Sequence, residues 1–108
     1  HASFAGVSLG LLHGAQADAL VLCHEPTRTH MRGLPDYRLP EIQACMDANL
    51  AAARLTNPEA SFVGIAVNTS QMERGKVAPY LAGLEKEFGL PAVDPFAQGV
   101  GPIVDRLA

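Results

Sequence analysis

Three apolar runs of strand length recur along the chain, and polar residues follow each of them at once. The runs cover residues 19–23, 62–67 and 90–94. Between them, apolar residues recur every three or four positions, which is the period of an amphipathic helix. Strands that alternate with helices predict right-handed crossovers between parallel strands. The pattern therefore predicts an α/β fold with a doubly wound, three-layer parallel sheet.

The segments around the strands predict four helices. They cover residues 4–13, residues 40–55, a stretch that starts between residues 76 and 79 and ends before Gly89, and residues 101–107. Gly14 and Gly89 stand where left-handed residues commonly end a helix. The runs are continuously apolar, which predicts strands covered on both faces. Three parallel strands also leave two open edges, so we expect upstream chain or a partner subunit to complete the sheet.

Composition limits the class of partner and the compartment. A chain of 108 residues suffices for one domain, and a net charge of -3 gives no reason to expect nucleic acid or an anionic membrane as partner. No apolar run approaches the roughly 20 residues that span a bilayer. Cys23 and Cys45 lie in apolar segments, which predicts reduced, buried thiols in a cytoplasmic protein.

The polar residues after the three runs are the candidates for a site. They are residues 23–25, 68–70 and 94–95. Ligands of open parallel sheets bind at the carboxyl ends of the strands, and parallel strands present those ends along one edge. We therefore expect these residues to form one ligand-binding edge.

The segment from His24 to Arg38 concentrates positive charge. Three arginines stand in it against Glu25 and Asp36, for a formal charge of +1, whereas the rest of the chain carries -4. A positive loop beside a ligand-binding edge suits a phosphate or carboxylate. The alternative is a solvated loop with surface ion pairs.

Several side chains in these segments allow two interpretations, one functional and one structural. Glu25, His24 and His30 are candidates for proton transfer, and each alone also fits a structural role. Asn68 is a candidate for cofactor contact, although it also fits a simple strand end. A zinc site is disfavoured because Cys23 and His24, as neighbours on a strand, point to opposite faces. No metal is predicted.

Seven segments carry a resemblance to a known family. They are residues 4–14, 19–26, 28–33, 49–57, 64–70, 94–95 and 99–105. Through them the chain resembles, from end to end, the C-terminal portion of the D-glutamate N-acetyltransferase family, long catalogued as conserved proteins of unknown function. The run from Cys23 to Gly33 is the most specific part of the match.

The resemblance implies a partial domain. Members of that family have a Rossmann-like N-terminal domain, followed by a P-loop-type domain similar to dethiobiotin synthetase. Residues 1–108 would then be a single partial domain, the C-terminal part of the second. The family's glycine–lysine phosphate loop is absent here, since Gly75-Lys76 is the only Gly-Lys pair and lacks the leading glycine. We expect the fragment alone to be inactive.

The resemblance also implies an activity for the intact protein, namely acetyl transfer from acetyl-CoA to the amino group of D-glutamate. A nucleotide and Mg²⁺ are further cofactor candidates, and a homo-oligomer with a small-molecule substrate is expected. The candidate residues are Glu25, His24 and His30 for proton transfer, Arg28, Thr29 and Arg32 for the substrate, and Asn68, Thr69 and Asp94 for the cofactor. The alternatives are a P-loop enzyme that uses ATP and a non-catalytic assembly module.

Overall fold

The computed structural model describes residues 5–108, which form four α-helices and five strands in that part of the chain. The helices are α1 (Ala5–Ala15), α2 (Ile42–Arg54), α3 (Arg74–Phe88) and α4 (Gly101–Val104), with a 3-10 turn at Asp105–Leu107. The strands are β1 (Ala19–His24), β2 (His30–Met31), β3 (Leu34–Arg38), β4 (Ser61–Val67) and β5 (Ala92–Val93). The predicted alternation of helices and strands is confirmed, with a hairpin, β2–β3, added after β1. The predicted helix start at Phe4 lies outside the described residues.

Strands β1, β4 and β5 form one parallel sheet in the order β1-β4-β5. Ile65 pairs with Ala92 in a parallel register between β4 and β5. At the two ends of β1, the Ser61 amide donates to the carbonyl of Asp18 and the Asn68 amide donates to the carbonyl of His24. Residue numbers rise together along both strands, which is the parallel direction. The predicted α/β class is therefore confirmed.

Burial differs sharply between the central strand and β1. In β4, Val63, Gly64, Ile65 and Val67 are buried, as expected for a strand covered on both faces. Strand β1 lies at the edge of the sheet, and Val21 on it is 42% exposed. The prediction that β1 is covered on both faces is therefore wrong for the described part of the chain.

The prediction of two buried thiols is wrong for Cys23. Its side chain is exposed, because it alternates with Leu22 along β1 and shares a face with the exposed Val21. Cys45 is half-buried on α2. Within residues 5–108, Cys23 and Cys45 form no disulfide with each other.

The structure divides into two compact units, the first made of residues up to 20 together with residues 28–62. In this unit α1 packs on α2, and the His13 Nε2–H donates to the carbonyl of Ala52 over 3.0 Å. Helix α1 continues through Gly14, and the positive φ expected there occurs at Gln16 instead. The side-chain amide of Asn57 donates to the Gln16 carbonyl, which holds the chain in this turn.

The second unit contains residues 21–27 and 63–108. Ile65 and Val67 of β4 and Leu81 and Leu84 of α3 are buried there. Helix α3 begins at Arg74, earlier than predicted, and includes Pro79. Its end is as predicted, because Gly89 adopts a left-handed φ of 66° and donates its amide to the Glu85 carbonyl.

Among the helices that residues 5–108 form, none combines the length and the apolar character that a membrane span requires.

Candidate functional site

Backbone and side-chain hydrogen bonds join the carboxyl ends of β1, β4 and β5 in the second unit. The Asn68 amide donates to the His24 carbonyl over 2.8 Å, which connects the end of β1 to the end of β4. Thr69 then donates from both its amide and its hydroxyl to Asp94, at the end of β5. The polar residues that follow the three strands thus lie along one edge of the sheet, the edge at which parallel sheets bind ligands.

Asp94 is the most densely hydrogen-bonded side chain at this edge. Its residue is 6% exposed, and its Oδ2 accepts both hydrogen bonds from Thr69. Its Oδ1 accepts the amides of Phe96 at 2.9 Å and Ala97 at 3.1 Å. The hydrogen bond from the Thr69 side chain, supported by those from the backbone amides and opposed by burial, lowers the pKa of the Asp94 carboxyl. The carboxylate therefore ties the end of β4 to the turn after β5.

Replacing Asp94 with asparagine is expected to destabilise the fold by about 2 kcal/mol. Each Asp94 oxygen accepts two hydrogen bonds, so the NH₂ group of asparagine would face two hydrogen-bond donors in place of one of these oxygens. The folded-state pKa of Asp94 lies below its ordinary value of 3.8. Its contribution to stability is therefore full above that value and is lost as the pH falls through the folded-state pKa. Urea denaturation at neutral and at acidic pH measures the free energy of unfolding of wild type and Asp94→Asn. We expect the difference between the two proteins to be smaller at acidic pH.

The exposed Asp105 provides the matched control for removal of one carboxylate charge. Asp105→Asn is expected to change the free energy of unfolding by less than about 0.5 kcal/mol. An Asp94→Asn variant as stable as Asp105→Asn at neutral pH would rule out the proposed tie between the two strand ends.

His24 is half-buried at the end of β1 and contacts helix α3. Its Nε2 lies 2.8 Å from Oη of Tyr80, and the two rings are stacked with centroids 6.2 Å apart. Burial lowers the pKa of the His24 imidazole, so the ring is neutral at neutral pH. Burial, and secondarily the charge of Glu87, raise the pKa of Tyr80, so its phenol keeps its proton.

Sequence reasoning missed Tyr80 altogether. The residue follows Val77 by three positions and precedes Leu84 by four, so it extends the apolar stripe of α3. A tyrosine in such a stripe buries its ring and needs a partner for its hydroxyl. That need is the one signal in the sequence, and it does not identify a histidine 56 residues away as the partner.

The remaining predicted residues of this edge differ in exposure. Asn68 is exposed, and its Oδ1 accepts the Ser70 amide in a turn that fixes the side chain. Glu25 is half-buried directly after β1, whereas Thr69 is 8% exposed. A role for any of them in catalysis or cofactor binding stays a prediction.

The predicted substrate residues lie in the first unit, at and beside the β2–β3 hairpin. The segment was predicted as an irregular loop, and Gly33, with a φ of 76°, instead forms the turn of a hairpin with Arg32. The carbonyl of Thr29 accepts the Leu39 amide at the base of the hairpin. His30 is exposed, and its Nδ1–H donates to the neighbouring carbonyl of Met31.

The predicted site residues thus fall into two groups, one in each compact unit. The first unit holds Arg28, Thr29, His30 and Arg32, and the second holds His24, Glu25, Asn68, Thr69 and Asp94.

A shallow depression lies at the other end of β5, where the strand begins. Its lining residues are Glu85, Gly89, Leu90, Pro91, Pro102 and Arg106. Arg106 donates to the carbonyl of Gly89 over 2.8 Å, which satisfies a backbone group at the end of α3. The amino ends of parallel strands are not where open sheets bind ligands, so we assign this depression a structural role.

Comparisons with known proteins agree on one family. Residues 1–104 match a family model described as the P-loop domain of a domain of unknown function, DUF1611. A D-glutamate N-acetyltransferase from Tritonibacter scottomollicae is 50% identical over 108 residues, which is all of this chain and 32% of that protein. One from a Pseudoalteromonas species is 51% identical over 107 residues, or 99% of this chain and 32% of that protein. The chain therefore spans about a third of the length of these curated relatives.

A solved structure agrees with the fold. The crystal structure of a DUF1611 family protein from Anabaena variabilis superposes with a TM-score of 0.81 at 26% sequence identity. The similarity covers 93% of this chain and 30% of that one.

Proposed function

The chain belongs to the DUF1611 family, and on that premise we propose that the intact protein transfers an acetyl group from acetyl-CoA to the amino group of D-glutamate. The observation that carries the proposal is the identity of about half of all residues, over the whole chain, with two proteins named D-glutamate N-acetyltransferase. The relatives are about three times as long, so the activity is proposed for the intact protein and not for this chain alone.

The reaction defines what the site must supply. The ammonium group of D-glutamate loses a proton, and its nitrogen then attacks the thioester carbon of acetyl-CoA. The carbon–sulfur bond breaks as the nitrogen gives up a second proton, and the leaving thiolate takes up one of the two protons. The products are N-acetyl-D-glutamate, CoA and one released proton. A base must therefore accept the ammonium proton, and cationic groups must bind two substrate carboxylates.

We assign the base to His24 among the three candidates. Its imidazole is neutral at neutral pH because burial lowers its pKa, so it has a lone pair for a proton. It also stands at the carboxyl end of β1, joined through its own carbonyl to Asn68. His30 lies on the hairpin and does not follow a strand of the β1-β4-β5 sheet, which makes it the weaker candidate.

The carboxylates of D-glutamate are assigned to Arg28 and Arg32. A guanidinium binds a carboxylate through two parallel hydrogen bonds and keeps its charge at any relevant pH. Thr29 lies beside Arg28 and offers a hydroxyl to the same ligand. For acetyl-CoA, the exposed amide of Asn68 is the direct contact we propose, with Thr69 and Asp94 fixing the strand ends around it.

Turnover by the intact protein tests the proposal. With D-glutamate and acetyl-CoA, we expect N-acetylglutamate in the mass spectrum and one free thiol per product molecule. L-Glutamate under the same conditions is the stereochemical control and should react more slowly. Failure to form product from D-glutamate would eliminate the proposed function.

A nucleotide-dependent reaction is the second candidate, because the matching family model describes a P-loop domain. The same assay with ATP and Mg²⁺ separates the two. Release of ADP coupled to turnover, with no acetyl transfer when ATP is omitted, would favour the nucleotide enzyme.

A further inference from the structure

A tertiary hydrogen bond connects His24 to Tyr80, two residues that are 56 positions apart in the sequence. His24 ends β1, and Tyr80 lies on α3, in the same compact unit. The 2.8 Å distance and the partial burial of both groups make this contact a fixed feature of the unit. Stacking of the two rings restricts the imidazole further, because it limits rotation about the side-chain bonds.

The two ring nitrogens of His24 have different surroundings. Nε2 is occupied by the Tyr80 hydroxyl, and within residues 5–108 Nδ1 makes no hydrogen bond. In that same part of the chain, no buried side-chain nitrogen or oxygen is without a partner. Among these residues Nδ1 is therefore not fully buried, which makes it the ring nitrogen that a ligand at this edge can reach.

Burial sets the protonation of the pair, with a smaller contribution from one charge. It lowers the pKa of His24, and together with the Glu87 carboxylate on α3 it raises the pKa of Tyr80, which leaves the phenol protonated. Glu25 directly follows His24 on the chain, while β4 contributes the uncharged Asn68 and Thr69 at its end. The imidazole is neutral, so it carries one hydrogen, and its position on Nε2 or Nδ1 decides which nitrogen can accept a proton.

We infer that Tyr80 is a positioning residue that accepts the Nε2–H of His24 through its hydroxyl oxygen and so leaves the lone pair on Nδ1. This inference rests on the proposed function, in which Nδ1 takes the proton from the ammonium group of D-glutamate. Tyr80 itself does not contact the substrate. It acts by fixing the ring and its tautomer, as a partner on the second nitrogen does for other catalytic histidines.

Replacing Tyr80 with phenylalanine removes the hydroxyl and keeps the ring. Nε2–H then has no acceptor, so the two tautomers mix, and kcat for acetylation is expected to fall about 10-fold with KM little changed. The imidazolium loses a stronger hydrogen bond than the neutral ring does, so the pKa of His24 should fall further and the acid limb of the pH–rate profile should move to lower pH.

Nitrogen NMR of the intact protein, labelled with ¹⁵N-histidine, reads the tautomer directly and without turnover. His24→Gln identifies the His24 signals, and His13, whose Nε2–H donates to a carbonyl, is the internal reference. We expect an unprotonated Nδ1 and a protonated Nε2 in the wild type, and averaged signals in Tyr80→Phe. Tyr37→Phe removes the hydroxyl of the chain's other tyrosine and is the matched control, expected to leave both signals and kcat unchanged.

The outcomes separate this inference from the proposed function. A protonated Nδ1 in an active wild-type enzyme, or a His24 pKa that rises in a folded Tyr80→Phe variant, would overturn the assignment of the tautomer alone. The expected NMR pattern in a protein that does not acetylate D-glutamate would overturn the proposed function and leave the hydrogen-bond assignment standing.

Discussion

Replacing His24 with glutamine is expected to lower kcat for acetylation of D-glutamate by about 10²- to 10⁴-fold, the usual contribution of a general base. Glutamine has a similar size and can still donate a hydrogen bond to Tyr80, but it cannot accept and release a proton at neutral pH. KM for D-glutamate should change little, because we assign the substrate carboxylates to Arg28 and Arg32. Initial rates at saturating acetyl-CoA give both constants.

His13→Gln is the matched control for this variant. His13 is also half-buried and also bonded through Nε2, but to a carbonyl within the α1–α2 contact. We expect its kcat to stay near the wild-type value. Retention of activity by a folded His24→Gln variant would remove His24 from the mechanism, and Glu25→Gln and His30→Gln in the same assay would then identify the base.

Replacing Gly64 with valine is expected to destabilise the fold by about 3 kcal/mol, near the upper end for overpacked cores. A Cβ atom at Gly64 would lie 2.5 Å from Cγ1 and 2.8 Å from Cδ1 of Ile103. Ile103 is itself buried, and Cγ1 is too close to the backbone to move aside without a change of rotamer. Because Gly64 lies in the central strand, the backbone cannot shift readily either. Urea denaturation measures the loss.

A double-mutant cycle identifies the clash as the cause. Ile103→Ala removes the crowding atoms, so Gly64→Val should cost much less in that background than in the wild type. Gly83→Ala on the exposed side of α3 is the control, because nothing lies within 4 Å of its added Cβ. We expect that variant to gain about 0.5–1 kcal/mol. Equal costs of Gly64→Val in the two backgrounds would rule out a direct contact with Ile103.

The parallel sheet could be predicted because a strand that is buried on both faces needs apolar residues at every position. Strand β4 is covered on both faces and is continuously apolar, and the polar residues 68–70 that come directly after it mark its carboxyl end. The β2–β3 hairpin could not be predicted in the same way. Pro35 and Asp36 are rare within strands, and here they are tolerated because β3 pairs with a single partner, the two-residue β2.

Local rules also failed where tertiary contacts decided the outcome. Gly14 marks a helix end by preference, but hydrogen bonds from Asn57 fix the reversal at Gln16. The apolar sequence of β1 suggested two covered faces, whereas in the described part of the chain the face that carries Val21 and Cys23 is exposed. Which faces other elements cover depends on tertiary packing, which the apolar pattern of one strand does not specify.

The candidate site was partly predictable for the same reasons. Parallel topology alone brings the ends of β1, β4 and β5 together, and hydrogen bonds between Thr69 and Asp94 and between His24 and Asn68 agree with that expectation. The contact between His24 and Tyr80 depends on how α3 lies on the sheet. Such a long-range pair follows from packing, which a periodic pattern does not specify.

The proposed roles of His24 and Asn68 both require ligand binding at the carboxyl edge of the β1-β4-β5 sheet. Hydrogen–deuterium exchange of the intact protein, with and without CoA and D-glutamate, tests it most directly. We predict slower exchange in residues 21–27 and 67–70 when the ligands are bound, and no change in residues 101–106 beside the depression at the opposite end. Slower exchange confined to residues 88–91 and 101–106, with the strand ends unaffected, would contradict the account.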